Sequence, residues 1–145
     1  MSFTVGLTMA FSAFFGVNTP DTQMALAMPT AQTVEEYVRE YFADIPVMAE
    51  IAKCESQFRQ FNKNGQVLQN PGSTAVGVFQ IMGSIHAELA DEKLGLDIYS
   101  LQGNAAYARY LYDKQGTQPW EADINSENCW GKTAVAKQHA KDLAL

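Results

Sequence analysis

Closely spaced helix start and stop signals constrain the fold of this chain more than any other feature of its sequence. Thr33 and Glu36 have the spacing of a capping box, so we expect a helix to begin there and to run to about Asp44. Pro46 is typical of the first turn of a second helix, which we expect to reach about Gln57. The beginning of the folded region therefore predicts two short consecutive helices.

Two further helices are predicted later in the chain. Ser84 can cap a helix that ends before Gly95, and Ser100 can cap a longer helix that Gly116 closes. Four apolar residues share one face of the longer helix: Leu101, Ala105, Ala108 and Leu111. Together with the first two helices, these segments predict a mainly α domain.

The segment between the second and third helices carries turn signals instead. Asn64-Gly65 and Asn70-Pro71-Gly72 predict a loop or hairpin over Asn62 to Thr74. The short apolar run from Val76 to Met82 is expected to be extended or to lead into the next helix. We therefore expect an α+β fold, in which a small hairpin or loop insertion follows the second helix.

The N-terminal residues 1–33 differ in composition from the rest of the chain. They contain no Lys or Arg, and their apolar run from Val5 to Val17 is too short to cross a membrane comfortably. Ala25-Leu26-Ala27 offers a signal-peptidase site, so we expect a secretory signal peptide, with a membrane anchor or hydrophobic leader as the alternative. This predicts an exported protein of the cell envelope, periplasmic or extracellular, which the leader can hold transiently at a membrane. We expect residues 34–130 to form the domain and 131–145 to be a weakly helical, partly mobile tail.

Cys54 and Cys129 are the only two cysteines. In an exported protein such a pair predicts one disulfide. A zinc site that also uses His86 and His139 is a weak alternative, because no two of these residues have the close spacing of zinc ligands. In a cytosolic protein both thiols would simply be buried. We expect neither a metal nor a cofactor.

The charge balance excludes nucleic acid as an expected partner. The 10 Lys and Arg residues against 16 Asp and Glu residues give a net charge of -6, whereas phosphate binding needs a concentrated cationic surface. The 145 residues suffice for one domain with a sizeable core, which we expect to be monomeric.

Glu55 carries the strongest chemical signal in the chain. Three apolar residues lie three, four and seven positions before it and share its helix face: Ala52, Ile51 and Met48. Desolvation at the end of such a stripe disfavours the charged carboxylate, which leaves an acid able to donate a proton near neutral pH. Arg59 lies one turn further on and can reach it. The ordinary alternative is a solvated surface Glu.

Three motifs follow one another in the chain: Cys54-Glu55-Ser56-x-Phe58, then Gly77-Val78-Phe79-Gln80-Ile81-Met82, then Asn104-x-x-Tyr107-Ala108-x-Tyr110-Leu111. Their order and spacing resemble the lytic transglycosylase family (SLT-like) of the lysozyme-like superfamily, over roughly residues 47–112. That family has a Glu-Ser pair at the end of a helix. A Gly-x-x-Gln-Ile/Leu-Met segment follows, and then a helix with the pattern Asn-x-x-x-Gly-x-x-Tyr-Leu.

The resemblance implies a lysozyme-like fold with a substrate cleft between the helical domain and the insertion. It implies Glu55 as the catalytic acid/base and Asn104 as the helix residue that helps to hold the cleft loop. The expected substrate-binding set is Ser56, Gln80, Met82, Asn104 and Tyr107. The implied partner is the peptidoglycan glycan strand, bound through sugar rings and hydrogen bonds rather than through charge.

The resemblance also implies a one-acid mechanism. Glu55 protonates the glycosidic oxygen between N-acetylmuramic acid and N-acetylglucosamine, and then takes a proton from the muramic acid 6-hydroxyl as a 1,6-anhydro ring closes. Ordinary glycosidases use two carboxylates. The candidates for a second one stand in no distinctive motif: Asp91, Asp97, Asp123 and Glu127. A lysozyme-type muramidase, a non-catalytic peptidoglycan-binding module and a small helical interaction domain stay as alternatives.

The sequence departs from the family at two elements, of which one is the glycine of the helix motif, where Ala108 stands, so that element matches loosely. The family has a Tyr-Asn-Ala-Gly motif whose tyrosine supports the catalytic Glu, but the corresponding stretch here reads Asn125-Ser-Glu-Asn-Cys-Trp130. Tyr107 or Tyr110 could replace that tyrosine. Other residues have ordinary structural interpretations: Phe79, Trp120 and Trp130 in the core, His86 without a catalytic role, and Glu88, Asp91 and Glu92 on a solvated helix face.

Overall fold

Five α-helices and one two-stranded antiparallel sheet make up the described part of the chain, which in this computed structural model is residues 31–121 and 129–145. This is the mainly α fold with a small β element that the sequence predicts. Two expectations lie outside the described residues: the leader predicted for residues 1–33, of which 1–30 are not described, and the roles of Asp123 and Glu127. None of the described helices has the length and apolar character that a membrane crossing requires.

The first two helices follow their predicted start signals. Helix α1 spans Val34–Tyr41, and its capping box is complete, because Thr33 Oγ1 accepts from Glu36 N at 3.2 Å and Glu36 Oε2 accepts from Thr33 N at 2.8 Å. It ends before Asp44, where the sequence had placed its end. Helix α2 spans Val47–Ser56, directly after Pro46.

The insertion after α2 is a hairpin, as its turn signals predict. Isolated bridges pair Phe61 with Val67 and Gln69 with Val76. Strand β1, Ala75–Val76, then pairs with strand β2, Ile81–Met82, in antiparallel register. The chain turns back between the two strands, so residues 77–80 form a tight turn.

Helices α3 and α4 follow the sheet. Helix α3 spans Gly83–Leu94, so the prediction that Ser84 caps it is wrong. The Ser84 hydroxyl instead forms a hydrogen bond with Thr74 Oγ1 at 2.7 Å, because the end of β2 runs directly into the helix. Helix α4 spans Leu101–Gln115, and Ser100 Oγ caps it by accepting from Gly103 N at 3.0 Å, as predicted.

The last elements are two 3-10 turns, Gln118–Trp120 and Trp130–Lys132, and helix α5, Ala134–Asp142. Helix α5 packs against α2, and Ala136 is buried. Residues 131–145 therefore belong to the same compact unit as the rest of Ala31–Leu145. The predicted domain end at residue 130 was too early, since α5 is held by packing that the local sequence does not reveal.

A disulfide joins Cys54 in α2 to Cys129, with the two Cα atoms 6.0 Å apart, as predicted. It anchors the chain just before α5 to the helix that carries Glu55. Because both sulfurs are used in this bond, the alternative zinc site with two thiolate ligands is wrong.

Helix α2 lies at the centre of the core. It contacts α1, α5 and the second 3-10 turn, and its buried residues belong to one core cluster whose largest members include Met48, Ile51, Phe42, Phe79 and Tyr107. The Phe79 ring lies 5.2 Å from that of Phe42 and 6.1 Å from that of Trp120, centroid to centroid. The predicted core positions of Phe79, Trp120 and Trp130 are confirmed.

Candidate functional site

Glu55 is the penultimate residue of α2 and is half-buried. The apolar residues predicted to share its face are fully buried: Met48, Ile51 and Ala52. Its carboxylate therefore leaves the helix at the edge of the core, and not on a fully solvated surface. Arg59 donates its Nε to the carbonyl oxygen of Ser56 at 2.8 Å, which places that side chain against the end of the same helix.

Ser56, the last residue of α2, and Gln60, four residues further along the chain, bind the carbonyl and the N–H of Val78. Ser56 Oγ donates to the Val78 carbonyl oxygen at 2.8 Å. Gln60 Oε1 accepts from Val78 N at 2.9 Å, and Gln60 Nε2 donates to the Tyr99 carbonyl oxygen at 2.9 Å. The 77–80 turn is thereby fixed to the helix end that carries Glu55.

Asn104 holds the same turn from helix α4. Its Oδ1 accepts from Phe79 N at 2.9 Å, and its Nδ2 donates to the carbonyl oxygens of Val76 and Ile98 at 3.0 and 2.8 Å. On the other side, Trp120 Nε1 donates to the Phe79 carbonyl oxygen at 3.0 Å. These bonds show that Asn104 holds the 77–80 turn; that the turn borders a substrate cleft stays a prediction.

Gly77 lets the supporting side chains approach the turn closely. Its φ is +73°, a conformation that side chains of L-residues rarely adopt. A Cβ at this position would overlap the Asn104 amide nitrogen and lie 2.6 Å from Gln60 Oε1. A larger residue would therefore displace both amide groups that hold the turn.

Backbone strain in the described residues is concentrated at the end of α2 and in the 77–80 turn. Only three described non-glycine residues have positive φ: Gln57 at 56°, Phe58 at 57° and Gln80 at 49°. Each such residue costs about 1 kcal/mol or more, and strained residues of this kind cluster at functional sites. Two of the three directly follow Glu55-Ser56, and the third closes the turn bound to that helix end.

Two of the expected sugar contacts, Gln80 and Met82, are partly exposed and adjoin the supported turn. Gln80 Nε2 donates to the Gly77 carbonyl oxygen at 2.9 Å, which folds the side chain back along its own turn. Met82 is the last residue of β2 and precedes α3. Both residues adjoin the turn that Ser56 binds to the end of α2.

The other three expected substrate contacts are corrected by their burial. Ser56 is only 2% exposed, and Asn104 and Tyr107 are 0% exposed. Side chains enclosed in this way cannot touch a sugar. Ser56 and Asn104 support the backbone of the turn instead, whereas Tyr107 packs inside the core.

Tyr107 pairs with His86 inside the fold. Its Oη lies 3.0 Å from His86 Nδ1. Burial lowers the pKa of His86 and, together with the neighbouring Tyr110, raises the pKa of Tyr107, so both groups are held neutral near pH 7. That His86 has no catalytic role stays a prediction. A support of Glu55 by Tyr107 or Tyr110 stays a prediction.

The described candidates for a second carboxylate lie on the α3 side of the molecule. Asp91 is exposed on α3 and, with Glu88, Asp97 and Tyr99, lines a cavity of about 420 Å³. Asp97 Oδ1 accepts from Tyr99 N at 2.9 Å. Glu88, Asp91 and Glu92 form the solvated helix face that the sequence predicts. Within residues 31–121 and 129–145, no three His, Cys, Asp or Glu side chains are grouped as a metal site.

Gln60 is the site residue that the sequence did not indicate. It stands outside the helix periodicity and outside the three motifs, and only the fold brings it to Val78. In comparisons with protein-family models, with curated proteins and with solved structures, nothing matches this chain.

Proposed function

We propose that this protein is a peptidoglycan lytic transglycosylase of the cell envelope. It would cleave the β-1,4 bond between N-acetylmuramic acid and N-acetylglucosamine with Glu55 as its acid/base. The observation that carries this proposal is the position of Glu55: half-buried, at the strained end of a core helix, beside a turn that four buried side chains hold in place. Such a fixed environment is what a reaction at one carboxyl group requires.

The reaction needs one proton to leave Glu55 and one to return. Protonated Glu55 donates to the glycosidic oxygen, and the bond to the muramic acid anomeric carbon breaks as the substrate's own N-acetyl group stabilises that carbon. The Glu55 carboxylate then accepts the proton of the 6-hydroxyl, whose oxygen bonds to the anomeric carbon. The products are a 1,6-anhydro-muramic acid end and a new N-acetylglucosamine end, and no water is consumed.

The turn supplies the contacts that place the substrate. The partly exposed Gln80 offers an amide to the sugar hydroxyls or acetamido group, and Met82 offers an apolar surface. Neither contact depends on charge, which suits an acidic protein of net charge -6 that acts on an anionic polymer.

Mass spectrometry of the fragments released from purified peptidoglycan tests the proposal. We expect the wild-type protein to release anhydro-muropeptides, which are one water lighter than reducing-end products, and Glu55→Gln to release none. Glu50→Gln is the matched control, because Glu50 is also half-buried on α2 and lines a cavity of about 630 Å³ beside the disulfide. This control should stay active.

The other outcomes separate the alternatives. Reducing-end products that disappear in Glu55→Gln would indicate a lysozyme-type muramidase. Retention on peptidoglycan by both wild type and Glu55→Gln, without any released fragment, would indicate a non-catalytic binding module.

A further inference from the structure

Apart from the aromatic residues with polar groups, three polar side chains are buried in the described structure, and all three bind the backbone of residues 76–79: Ser56, Gln60 and Asn104. Burying an amide or hydroxyl costs free energy unless its hydrogen bonds are made, and here those bonds converge on one turn. Ser56 and Asn104 belong to the motifs discussed above, whereas Gln60 does not.

Gln60 and Gln80 hold the two ends of one peptide group. The peptide between Gly77 and Val78 has its N–H on Val78, which donates to Gln60 Oε1 at 2.9 Å. Its carbonyl oxygen belongs to Gly77 and accepts from Gln80 Nε2 at 2.9 Å. Because a peptide group is planar and rigid, the orientation that Gln60 gives to the N–H also fixes the carbonyl that holds Gln80.

This peptide would not be held as firmly without Gln60. Backbone bonds hold its carbonyl side, because Gly77 N donates to the Leu68 carbonyl oxygen at 2.8 Å and the Gly77 carbonyl oxygen accepts from Gln80 N at 3.2 Å. The N–H side of the peptide is held by Gln60. The opposite end of the Gln60 amide is anchored on the Tyr99 carbonyl oxygen, in the connection between α3 and α4. Gln60 therefore fastens the peptide to a second part of the fold.

We infer that Gln60 is a positioning residue for glycan cleavage, which sets the orientation of Gln80 through the Gly77–Val78 peptide, in the turn that Ser56 binds to the end of α2. The inference rests on the proposed function, because it assigns Gln80 to substrate contact. Gln60 itself is fully buried and does not touch the substrate.

A double-mutant cycle tests this coupling. The measurement is kcat/KM on soluble, uncrosslinked glycan strands for wild type, Gln60→Met, Gln80→Ala and the double variant. Met keeps the length of the Gln60 side chain but can neither accept from Val78 nor donate to Tyr99. We expect each single variant to lose about 10- to 100-fold in kcat/KM. The double variant should lose no more than about threefold beyond the less active of the two single variants.

The control cycle replaces Gln60→Met by Ala136→Gly in α5. This change lowers stability through helix propensity but is remote in sequence from the turn. With every protein measured well below its melting temperature, Ala136→Gly should keep kcat/KM within about threefold of wild type, and its effect should multiply with that of Gln80→Ala.

Gln60→Glu provides a second test of the role of Gln60 if Gln60→Met fails to fold. An ionised Glu can accept from Val78 N but cannot donate to Tyr99 O, whereas a protonated Glu can do both. Its activity relative to wild type should therefore rise as the pH falls.

Two results would overturn the inference while the proposed function stands. In the first, the losses of kcat/KM caused by Gln60→Met and Gln80→Ala multiply in an active enzyme. In the second, the activity of Gln60→Glu relative to wild type does not change with pH. A wild-type protein that cleaves no glycan would instead remove the proposed function, and the role of Gln60 with it.

Discussion

Trp120 donates its indole N–H to the carbonyl oxygen of Phe79 at 3.0 Å, and the two aromatic rings also pack together in the core. This one bond joins the 3-10 turn after α4 to the turn that faces the end of α2. It satisfies a carbonyl that would otherwise be buried without a partner on that side.

Trp120→Phe should therefore lower the free energy of unfolding. The ring is largely kept, but the Phe79 carbonyl loses its indole partner, for which we expect a cost of about 1–3 kcal/mol. Urea unfolding followed by circular dichroism measures it. The matched control is Trp130→Phe, because the Trp130 indole N–H is buried and makes no hydrogen bond in the described structure. Trp130→Phe should cost clearly less, and an equal cost for both variants would contradict the importance of the Trp120 bond.

The sequence predicted the parts of the fold that local chemistry determines. The capping box at Thr33 and the cap at Ser100 specify their helix starts through bonds within four residues, and the structure contains both. The start of α3 was wrong, because it depends on the contact between Ser84 and Thr74, ten residues away. Helix α5 was underestimated for a similar reason, since it is stabilised by packing on α2 and by the nearby disulfide.

The candidate site was predicted as a set of residues but not as an arrangement. The motifs bring Ser56, Gln80 and Asn104 together, and the structure places all three at one turn. A motif does not tell which side chains point inward, so the buried Ser56 and Asn104 were assigned to the substrate together with the exposed residues. Gln60 gave no signal, because its role depends on left-handed backbone at Gln57 and Phe58.

Gln57→Gly should stabilise the protein. Gln57 ends α2 in a left-handed conformation with φ of 56°, and its side chain is exposed, so glycine relieves strain while little packing is lost. We expect a gain of about 1 kcal/mol, seen as a rise in melting temperature. The reverse change at an equivalent position is Gly95→Ala, where φ is +64° and no atom lies within 4 Å of an added Cβ. That variant should lose a similar amount, and opposite signs for the two changes are the critical result.

The stability of the fold should decrease as the pH falls through the range in which His86 takes up a proton. Burial lowers the pKa of His86 in the folded state, so the unfolded chain binds more protons there. The contribution of neutral His86 to stability is therefore complete above the ordinary histidine pKa of about 6.5. It is lost as the pH falls through the lower pKa that His86 has in the folded state. Urea midpoints between pH 7.5 and 5.5 measure this slope.

His86→Gln is the control for that slope, because a neutral amide can keep a hydrogen bond to Tyr107 without titrating. The two acids with lowered pKa titrate below this range: Glu36 through its hydrogen bonds with Thr33, and Asp44 through its hydrogen bonds with Arg109. The slope should flatten in His86→Gln. An unchanged slope would mean that another group causes it.

The Cys54–Cys129 disulfide should contribute strongly to stability, because it restricts the unfolded chain over a separation of 75 residues. The double variant Cys54→Ala/Cys129→Ala removes the link and should lower the free energy of unfolding by up to about 4 kcal/mol. Because the link adjoins Glu55, the proposed glycan cleavage should also weaken as the helix end loosens. Urea unfolding with and without a dithiol reductant measures the effect: reduction should bring the wild type to the stability of the double variant and leave the double variant unchanged. Equal stability of the oxidised wild type and the double variant would show that packing alone holds α5 to α2.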